Sequence, residues 1–139
     1  MQDLAVHHTS LSVADLDAQQ AWYQQALGLR EVIEQYQLEE PPVRTVVLRS
    51  SSGVCLELIE RSGATRPRDF ADPLEAAGTL GFGHWALAVG DLDAALETIT
   101  AAGGVPVWPP ADAVQPGARF AYVKDPEGNL IELIQPPTN

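Results

Sequence analysis

Two histidines and two glutamates recur at matching places in this chain, and both residue types bind divalent metal ions. His84 follows His8 by 76 positions, and Glu132 follows Glu57 by 75 positions. Two imidazole nitrogens and two carboxylate oxygens suit a divalent transition metal, because the two carboxylates balance its charge. A lone histidine or glutamate in a strand would carry little weight. The matched spacing is what makes these four residues candidate metal ligands.

The spacing arises from an internal repeat. Residues 8–17 read HTSLSVADLD, and residues 84–93 read HWALAVGDLD. Similarity at a fixed offset marks a duplicated structural unit. Each copy contributes one histidine early and one glutamate late. A pseudo-twofold relation between the copies would therefore bring all four side chains into one cavity.

Local patterns predict the elements that hold these residues. Alternating apolar and polar positions are typical of strands, while Asp15 and Asp91 have the residue type and placement of helix N-caps. His8 falls on the strand face with small polar residues, and His7 falls on the opposite face as a strand-end histidine. Each copy reads strand, helix, strand, strand, strand. The predicted strands cover residues 4–13, 29–37, 43–49, 54–60, 83–89, 105–108, 119–124 and 129–135, and the predicted helices cover 16–27 and 91–101.

These elements predict an α+β fold built from two βαβββ modules. Residues 1–61 form the first module, residues 62–81 the connection between modules, and residues 82–139 the second module. A chain of 139 residues is long enough to bury one core without disulfides or metals, so one compact domain is expected. Trp22 and Tyr23 are predicted core aromatics. Cys55, the single cysteine, is predicted to be a small core residue without chemistry.

Composition excludes several classes of partner. The formal net charge is −11, which repels phosphate backbones and anionic lipids, so neither nucleic acid nor a membrane surface is an expected partner. No apolar run approaches the roughly 20 residues of a membrane span. The first residues, MQDLAVHH, carry an acidic residue where a signal peptide would be basic. A cytoplasmic protein acting on a small molecule is therefore expected.

Four motifs make the sequence resemble the vicinal oxygen chelate superfamily, which includes glyoxalases, bleomycin-resistance proteins and extradiol dioxygenases. They are HTSLSVADLDAQQAWYQQALGL, VCLELIE, GHWALAVGDLDAA and DPEGNLIELI. The resemblance implies paired βαβββ modules forming an open, barrel-like mixed sheet around one divalent metal ion, which is Ni, Co, Zn, Mn or Fe. It also implies a homodimer. The implied metal ligands come from the first and last strand of each module, here His8, Glu57, His84 and Glu132.

Four ligands favour the branch that resembles glyoxalase I and methylmalonyl-CoA epimerase. The implied reaction is that of a lyase, isomerase or epimerase, in which a proton moves next to a carbonyl through a metal-bound enediolate. Glu132 or Glu57 would be the base. Members resembling glyoxalase I carry an arginine that binds the glutathione carboxylate at the position where this chain has Ser12. This difference argues against glutathione as cosubstrate. The remaining candidate binders of a substrate anion are Arg49, Arg66, Arg68 and Lys124.

Two alternatives stay open. Tyr122 lies where extradiol dioxygenases and fosfomycin-resistance transferases of this superfamily carry a tyrosine that touches substrate, and it is a candidate catalytic residue for that reason. A metal-free drug-binding protein of the bleomycin-resistance type would suit the acidic charge. The complete set of four candidate ligands favours the metal-dependent enzyme over this last class.

Overall fold

The computed structural model describes residues 1–138 and confirms an α+β fold of two βαβββ modules. The first module contains β1 (Thr9–Ser12), α1 (Leu16–Leu27), β2 (Glu31–Leu38), β3 (Val43–Arg49) and β4 (Cys55–Arg61). A short helix, α2 (Pro73–Ala77), precedes the second module, which contains β5 (Trp85–Ala88), α3 (Leu92–Ala101), β6 (Val105–Asp112), β7 (Arg119–Lys124) and β8 (Leu130–Gln135). The chain divides into two compact units, one ending at Thr65 and one beginning at Arg66.

Each unit contains one four-stranded mixed sheet, and the two sheets have the same topology. The strand orders are β1-β4-β3-β2 and β5-β8-β7-β6, with the first and last strand of each module paired in parallel. Ser10 is registered with Glu57, and Ala86 is registered with Glu132. The histidine that precedes each first strand therefore lies beside the glutamate of the last strand.

One face of each sheet packs against the helix of its own module. In the first unit Leu56 and Leu58 are fully buried on this face, together with Tyr23 of α1. In the second unit Ile131 and Leu133 take the corresponding places, with Ile99 of α3 buried as well. Side chains alternate along a strand, so Glu57 and Glu132 lie on the opposite face of their sheets. Trp22 and Tyr23 are buried as predicted.

One side chain caps the start of α1, and two others fix it to the sheet. The Asp15 carboxylate accepts a hydrogen bond from the Ala18 amide at 3.0 Å, as predicted for an N-cap. The Glu60 carboxylate accepts from the Leu16 amide at 2.7 Å, and thereby satisfies a backbone donor that has no partner inside the helix. Arg44 of β3 forms an ion pair with Asp17 at 2.9 Å, and this hydrogen-bonded carboxylate raises the pKa of Arg44.

The start of α3 is fixed in the same way. Asp91 accepts from the Ala94 amide at 3.0 Å, and the Gln135 side-chain oxygen accepts from the Leu92 amide at 2.8 Å. Arg119 pairs with Asp93 at 3.2 Å. We call each of these arrangements a helix clasp. The repeat therefore preserves not only the candidate ligands but also the contacts that hold each helix against its own sheet.

Two predicted strands are shorter than expected. The strands predicted over residues 4–13 and 83–89 are confined to Thr9–Ser12 and Trp85–Ala88. Pairing explains the difference, because β1 is registered only with Leu56–Ile59 of β4. His8 and His84 therefore lie just before their strands, outside the regular ladder.

One predicted strand is longer than expected. The structure extends β6 from Val105 to Asp112, whereas the prolines at positions 106, 109 and 110 suggested an end at residue 108. Proline is tolerated in an edge strand, where half of the backbone amides need no sheet partner. Strand β6 is an edge strand of its sheet, and its pairing with β7 shows two register shifts.

The predicted connection over residues 62–81 contains a helix that the sequence pattern did not reveal. Helix α2 begins with Pro73 and is capped by Asp72, whose carboxylate accepts from the Glu75 amide at 2.9 Å. None of the helices within residues 1–138 is long and apolar enough to cross a membrane.

Cys55 differs from its prediction in position. It lies at the start of β4, partly exposed and on the sheet face opposite the core, and its Sγ atom lies 3.7 Å from the Gly53 carbonyl. The expectation of a small core residue is therefore wrong, because the apolar strand pattern did not distinguish the two faces at this end of the strand.

Candidate metal and active site

The second unit brings together His84, Glu132 and Tyr122, which we call the His84 half-site. His84 Nε2 lies 3.1 Å from Glu132 Oε2, and the Tyr122 hydroxyl lies 3.3 Å from the same His84 nitrogen. Glu132 and Tyr122 are cross-strand partners on β8 and β7. The histidine and glutamate side chains are 29% and 19% exposed, respectively. A small ligand can therefore reach the pair, while most of the carboxylate is shielded from water.

An aromatic cluster surrounds Tyr122. Its ring centroid lies 5.0 Å from that of His84 and 5.2 Å from that of Trp108, with the ring planes nearly perpendicular. Phe120 is 6.1 Å away in a similar orientation. Such edge-to-face contacts hold rings in defined positions. The half-site is therefore backed by rigid apolar side chains rather than by flexible polar ones.

This environment keeps the Tyr122 hydroxyl neutral. Burial disfavours the charged phenolate, and the hydrogen bond and negative charge of Glu132 add to that effect. Together they raise the pKa of Tyr122 to about 12. At neutral pH the side chain is therefore a hydrogen-bond donor and not a base.

The first unit holds His8 and Glu57, which we call the His8 half-site. His8 Nε2 lies 3.8 Å from Glu57 Oε1, and the two side chains are 37% and 17% exposed. This distance exceeds that of a hydrogen bond. The Nδ1 atoms of His7 and His8 lie 2.8 Å apart. If His8 Nδ1 is the donor in this contact, His8 Nε2, on the side of Glu57, is the ring nitrogen that can bind a ligand.

The two half-sites differ at one key position. Val47 is the cross-strand partner of Glu57, whereas Tyr122 is the partner of Glu132. The first unit thus offers an imidazole and a carboxylate beside an aliphatic side chain. The second offers the same two groups together with a neutral phenol and an aromatic wall.

The chemistry of both pairs fits a divalent metal ion. Each pair presents one imidazole nitrogen and one carboxylate oxygen from partly shielded side chains, and these are the ligand types that zinc, nickel, cobalt, manganese and iron accept. Within residues 1–138, no group of three or more His, Cys, Asp or Glu side chains is arranged to hold a metal ion. Each half-site is a pair of potential ligands, and a four-ligand site would need both.

The four candidate anion binders occupy different surroundings. Arg49 forms a bidentate ion pair with Glu31, with contacts of 2.8 and 3.1 Å. Arg66 donates to the Asn129 side chain, and Arg68 donates to Thr79 and lies over the Phe70 ring. Lys124 lies 3.8 Å from Asp69. Ser12, at the position discussed for glutathione, ends β1 and is exposed.

Two residues of the site were missed by the sequence interpretation. Trp108 and Phe120 contact Tyr122, but neither was predicted to belong to the site. A signal for Phe120 was present, because it lies two positions before Tyr122 and so shares its strand face. Trp108 had no such signal, since its pairing with Tyr122 depends on the irregular register of β6.

A family profile establishes the relationship. Residues 5–133 match the Glyoxalase/Bleomycin resistance protein/Dioxygenase superfamily. The chain belongs to this superfamily. The matched range includes both half-sites and nearly all of both modules, so the superfamily assignment applies to the whole fold and not to one copy of the repeat.

Similar proteins lie within the glyoxalase group of the superfamily. A probable lactoylglutathione lyase from Vibrio cholerae is 32% identical over 97% of this chain and 93% of its own length. The protein of the same name from Vibrio parahaemolyticus is 34% identical with the same coverage. The crystal structure of a glyoxalase family protein from Bacillus cereus is similar with a TM-score of 0.78 and 20% identity, covering 99% of this chain and 97% of that one. This structural similarity supports the fold, and the sequence relatives support a glyoxalase-type enzyme.

Proposed function

We propose that the protein is a metal-dependent lyase, isomerase or epimerase of the glyoxalase type that moves a proton at a carbon next to a carbonyl. The observation that carries the proposal is the repeated pair of one histidine and one glutamate, His84 with Glu132 and His8 with Glu57. The relatives named probable lactoylglutathione lyase are consistent with this reaction class. The substrate is a small α-hydroxy or α-keto compound, free or activated as a thioester.

The four side chains His8, Glu57, His84 and Glu132 would hold one divalent cation. When bound, the cation would act as a Lewis acid that polarises the substrate carbonyl and makes the neighbouring carbon–hydrogen bond more acidic.

Glu132 is the proposed base that takes the proton from carbon. A carboxylate has two oxygens, so one can remain directed at His84 while the other accepts the proton. The side chain is mostly shielded, and Trp108, Phe120 and Tyr122 form an apolar wall nearby. The 19% of the Glu132 side chain that stays exposed lets the captured proton exchange with solvent before it returns to the substrate.

Tyr122 is proposed to donate its hydroxyl hydrogen to a substrate oxygen. Its hydroxyl is neutral well above physiological pH, so it can stabilise negative charge that develops on the carbonyl oxygen. Val47, the matching residue beside Glu57, has no donor to offer. This difference makes the two glutamates chemically unequal and favours Glu132 as the base.

Exchange of hydrogen for deuterium tests the proposal. Metal-loaded protein would be incubated in D₂O with α-hydroxy ketones, α-keto acids and branched acyl thioesters, and exchange at the carbon next to the carbonyl would be followed by NMR. We expect Glu132→Gln to slow exchange by a factor of about 10² to 10⁴, the usual contribution of a catalytic base. Glu57→Gln is the matched variant. If it abolished exchange while Glu132→Gln did not, the assignment of the base would be reversed.

One contact favours a second candidate function, an extradiol-type dioxygenase or a related transferase. The Tyr122 hydroxyl lies 3.3 Å from the His84 nitrogen, which suits a tyrosine that touches substrate at the cation. Iron-loaded protein that cleaved catechols with uptake of oxygen, and exchanged no carbonyl compound, would replace the primary proposal with this one. If protein purified without chelators contained no metal, that result would instead favour a drug-binding function.

A further inference from the structure

The side-chain ammonium of Lys124 has an environment unlike that of any other candidate anion binder. Its side chain is only 16% exposed, whereas the carboxylate facing it, Asp69, is 70% exposed. The two groups are 3.8 Å apart, too far for a hydrogen bond. Most of the Lys124 side chain is thus covered, and the counter-charge nearest to its ammonium lies beyond hydrogen-bonding distance. Such a group favours a second anion that can approach more closely.

The strand register places Lys124 on the ligand face of its sheet. Lys124 and Tyr122 are two positions apart on β7, so they share a face and are separated by roughly 7 Å. Tyr122 is the cross-strand partner of Glu132, and Lys124 is the partner of Leu130. Lys124 is therefore a diagonal neighbour of Glu132 across the β7–β8 pair. A flexible lysine at that spacing can reach the far end of a short molecule whose other end lies at Glu132.

The corresponding cation of the first module is already neutralised. Arg49 follows Val47 by two positions, just as Lys124 follows Tyr122. Its guanidinium forms three hydrogen bonds with Glu31, and its side chain is 44% exposed. Because the Arg49 guanidinium is already hydrogen-bonded and its side chain is partly exposed to solvent, binding of a further anion would stabilise it little. The internal repeat thus supplies two equivalent cations. Arg49 is hydrogen-bonded to a carboxylate, whereas the carboxylate near Lys124 lies beyond hydrogen-bonding distance.

We infer that Lys124 determines substrate specificity by binding a carboxylate on the substrate, which is therefore an α-carbonyl compound with an anionic tail. This inference rests on the function proposed above and names the substrate class for the same site. Asp69 would act as a competing internal anion, since it is exposed and comes from the segment before α2. Substrates without the negative tail would bind more weakly, because Lys124 would remain without a close partner.

Two hydroxamates that differ only in charge provide the test. Succinomonohydroxamate offers a metal-chelating group at one end and a carboxylate at the other, and its methyl ester lacks that charge. Titration calorimetry with the zinc-loaded protein would measure both affinities. We expect the free acid to bind about tenfold more tightly than the ester, the range of one charge-assisted hydrogen bond. Lys124→Gln should remove this preference, and Lys124→Arg should retain much of it.

Two further variants act as controls. Arg49→Gln should leave the tenfold preference intact, because its cation is bound to Glu31. Asp69→Asn should increase the preference by removing the competing carboxylate. Equal affinity for acid and ester in the unmodified protein would overturn the inference, while tight binding of both would leave the proposed metal site supported. Failure of both to bind would overturn the metal site and the inference together.

Discussion

The Tyr122 hydroxyl lies 3.3 Å from Nε2 of His84, the atom that also faces the Glu132 carboxylate. The phenol is held in this place by Trp108 and Phe120 and by its position opposite Glu132 on the neighbouring strand. A neutral donor, a carboxylate and an imidazole therefore meet at one end of the second sheet. The proton chemistry proposed for the protein depends on the ionisation state of the Tyr122 phenol.

Tyr122 is expected to ionise at about pH 12 in metal-free protein, against roughly 10 for an unperturbed tyrosine. The difference between the 295 nm titration curves of the unmodified protein and Tyr122→Phe isolates this transition from those of the other tyrosines. A midpoint near 10 would contradict the buried, acidic surroundings seen here.

The same shift affects stability. The folded protein favours the protonated phenol, so this contribution is complete below pH 10 and is lost as the pH rises through about 12. The unmodified protein should therefore lose stability between these values more steeply than Tyr122→Phe. Urea unfolding at pH 9, 10 and 11 would measure the difference.

Removal of either candidate histidine ligand should weaken metal binding. Outer-sphere partners of metal ligands contribute about 10- to 100-fold to affinity, so loss of a direct ligand in His84→Ala or His8→Ala should exceed that range. Elemental analysis after dialysis, together with competition against a chromophoric chelator, would measure it. His7→Ala is the matched comparison. It should reduce metal affinity by no more than the loss of an outer-sphere partner does. Full occupancy in His84→Ala would remove His84 from the ligand set.

The helix clasps predict unequal effects of two substitutions at one position. Gln135 performs in the second unit the task that Glu60 performs in the first, since both accept the amide of the first helical residue. Glu60→Gln should therefore change the free energy of unfolding by less than about 0.5 kcal/mol, while Glu60→Ala should cost about 1 kcal/mol. Urea denaturation would distinguish them. Equal losses would show that the charge of Glu60, and not its hydrogen bond, holds α1.

The internal repeat is the reason that so much of the fold was predictable and that the two histidine–glutamate pairs could be picked out as candidates. A constant offset related His8 to His84 and Glu57 to Glu132, and the parallel pairing of first and last strands accounts for their contact. Asp15 and Asp91 likewise fulfil their predicted N-cap roles. These features depend on residue type and periodicity, which the sequence displays directly.

Other features depend on packing that a sequence does not display. Arg49 and Lys124 are equivalent in the repeat, yet Arg49 is bound by Glu31, whereas the Lys124 side chain is mostly covered and lies near Asp69. Trp108 reaches Tyr122 only because β6 continues past its prolines with shifted register. The exposure of a lysine side chain and the register of an irregular edge strand are set by tertiary contacts. Periodicity alone cannot distinguish such positions.

Thr45→Val should stabilise the protein. Thr45 is 3% exposed, and its hydroxyl has no hydrogen-bond partner among the described residues. The corresponding residue of the second module is the apolar Phe120. Removal of a buried, unsatisfied hydroxyl should raise the free energy of unfolding by about 1 kcal/mol. Thr98→Val is the control, because the Thr98 hydroxyl donates to the Ala94 carbonyl. A loss of stability in Thr45→Val would contradict this.

We predict that the protein forms a homodimer through surfaces that include β2. This strand is an edge of the first sheet, and all eight of its residues are exposed. Val32, Ile33 and Tyr36 are 40%, 39% and 47% exposed, and an apolar edge of this kind favours pairing with another chain. Sedimentation velocity at micromolar concentration should show a dimer, and Val32→Lys should shift it toward monomer. Gln37→Lys, which adds the same charge at a polar position of the strand, should have a smaller effect. A monomer in the unmodified protein would contradict the prediction.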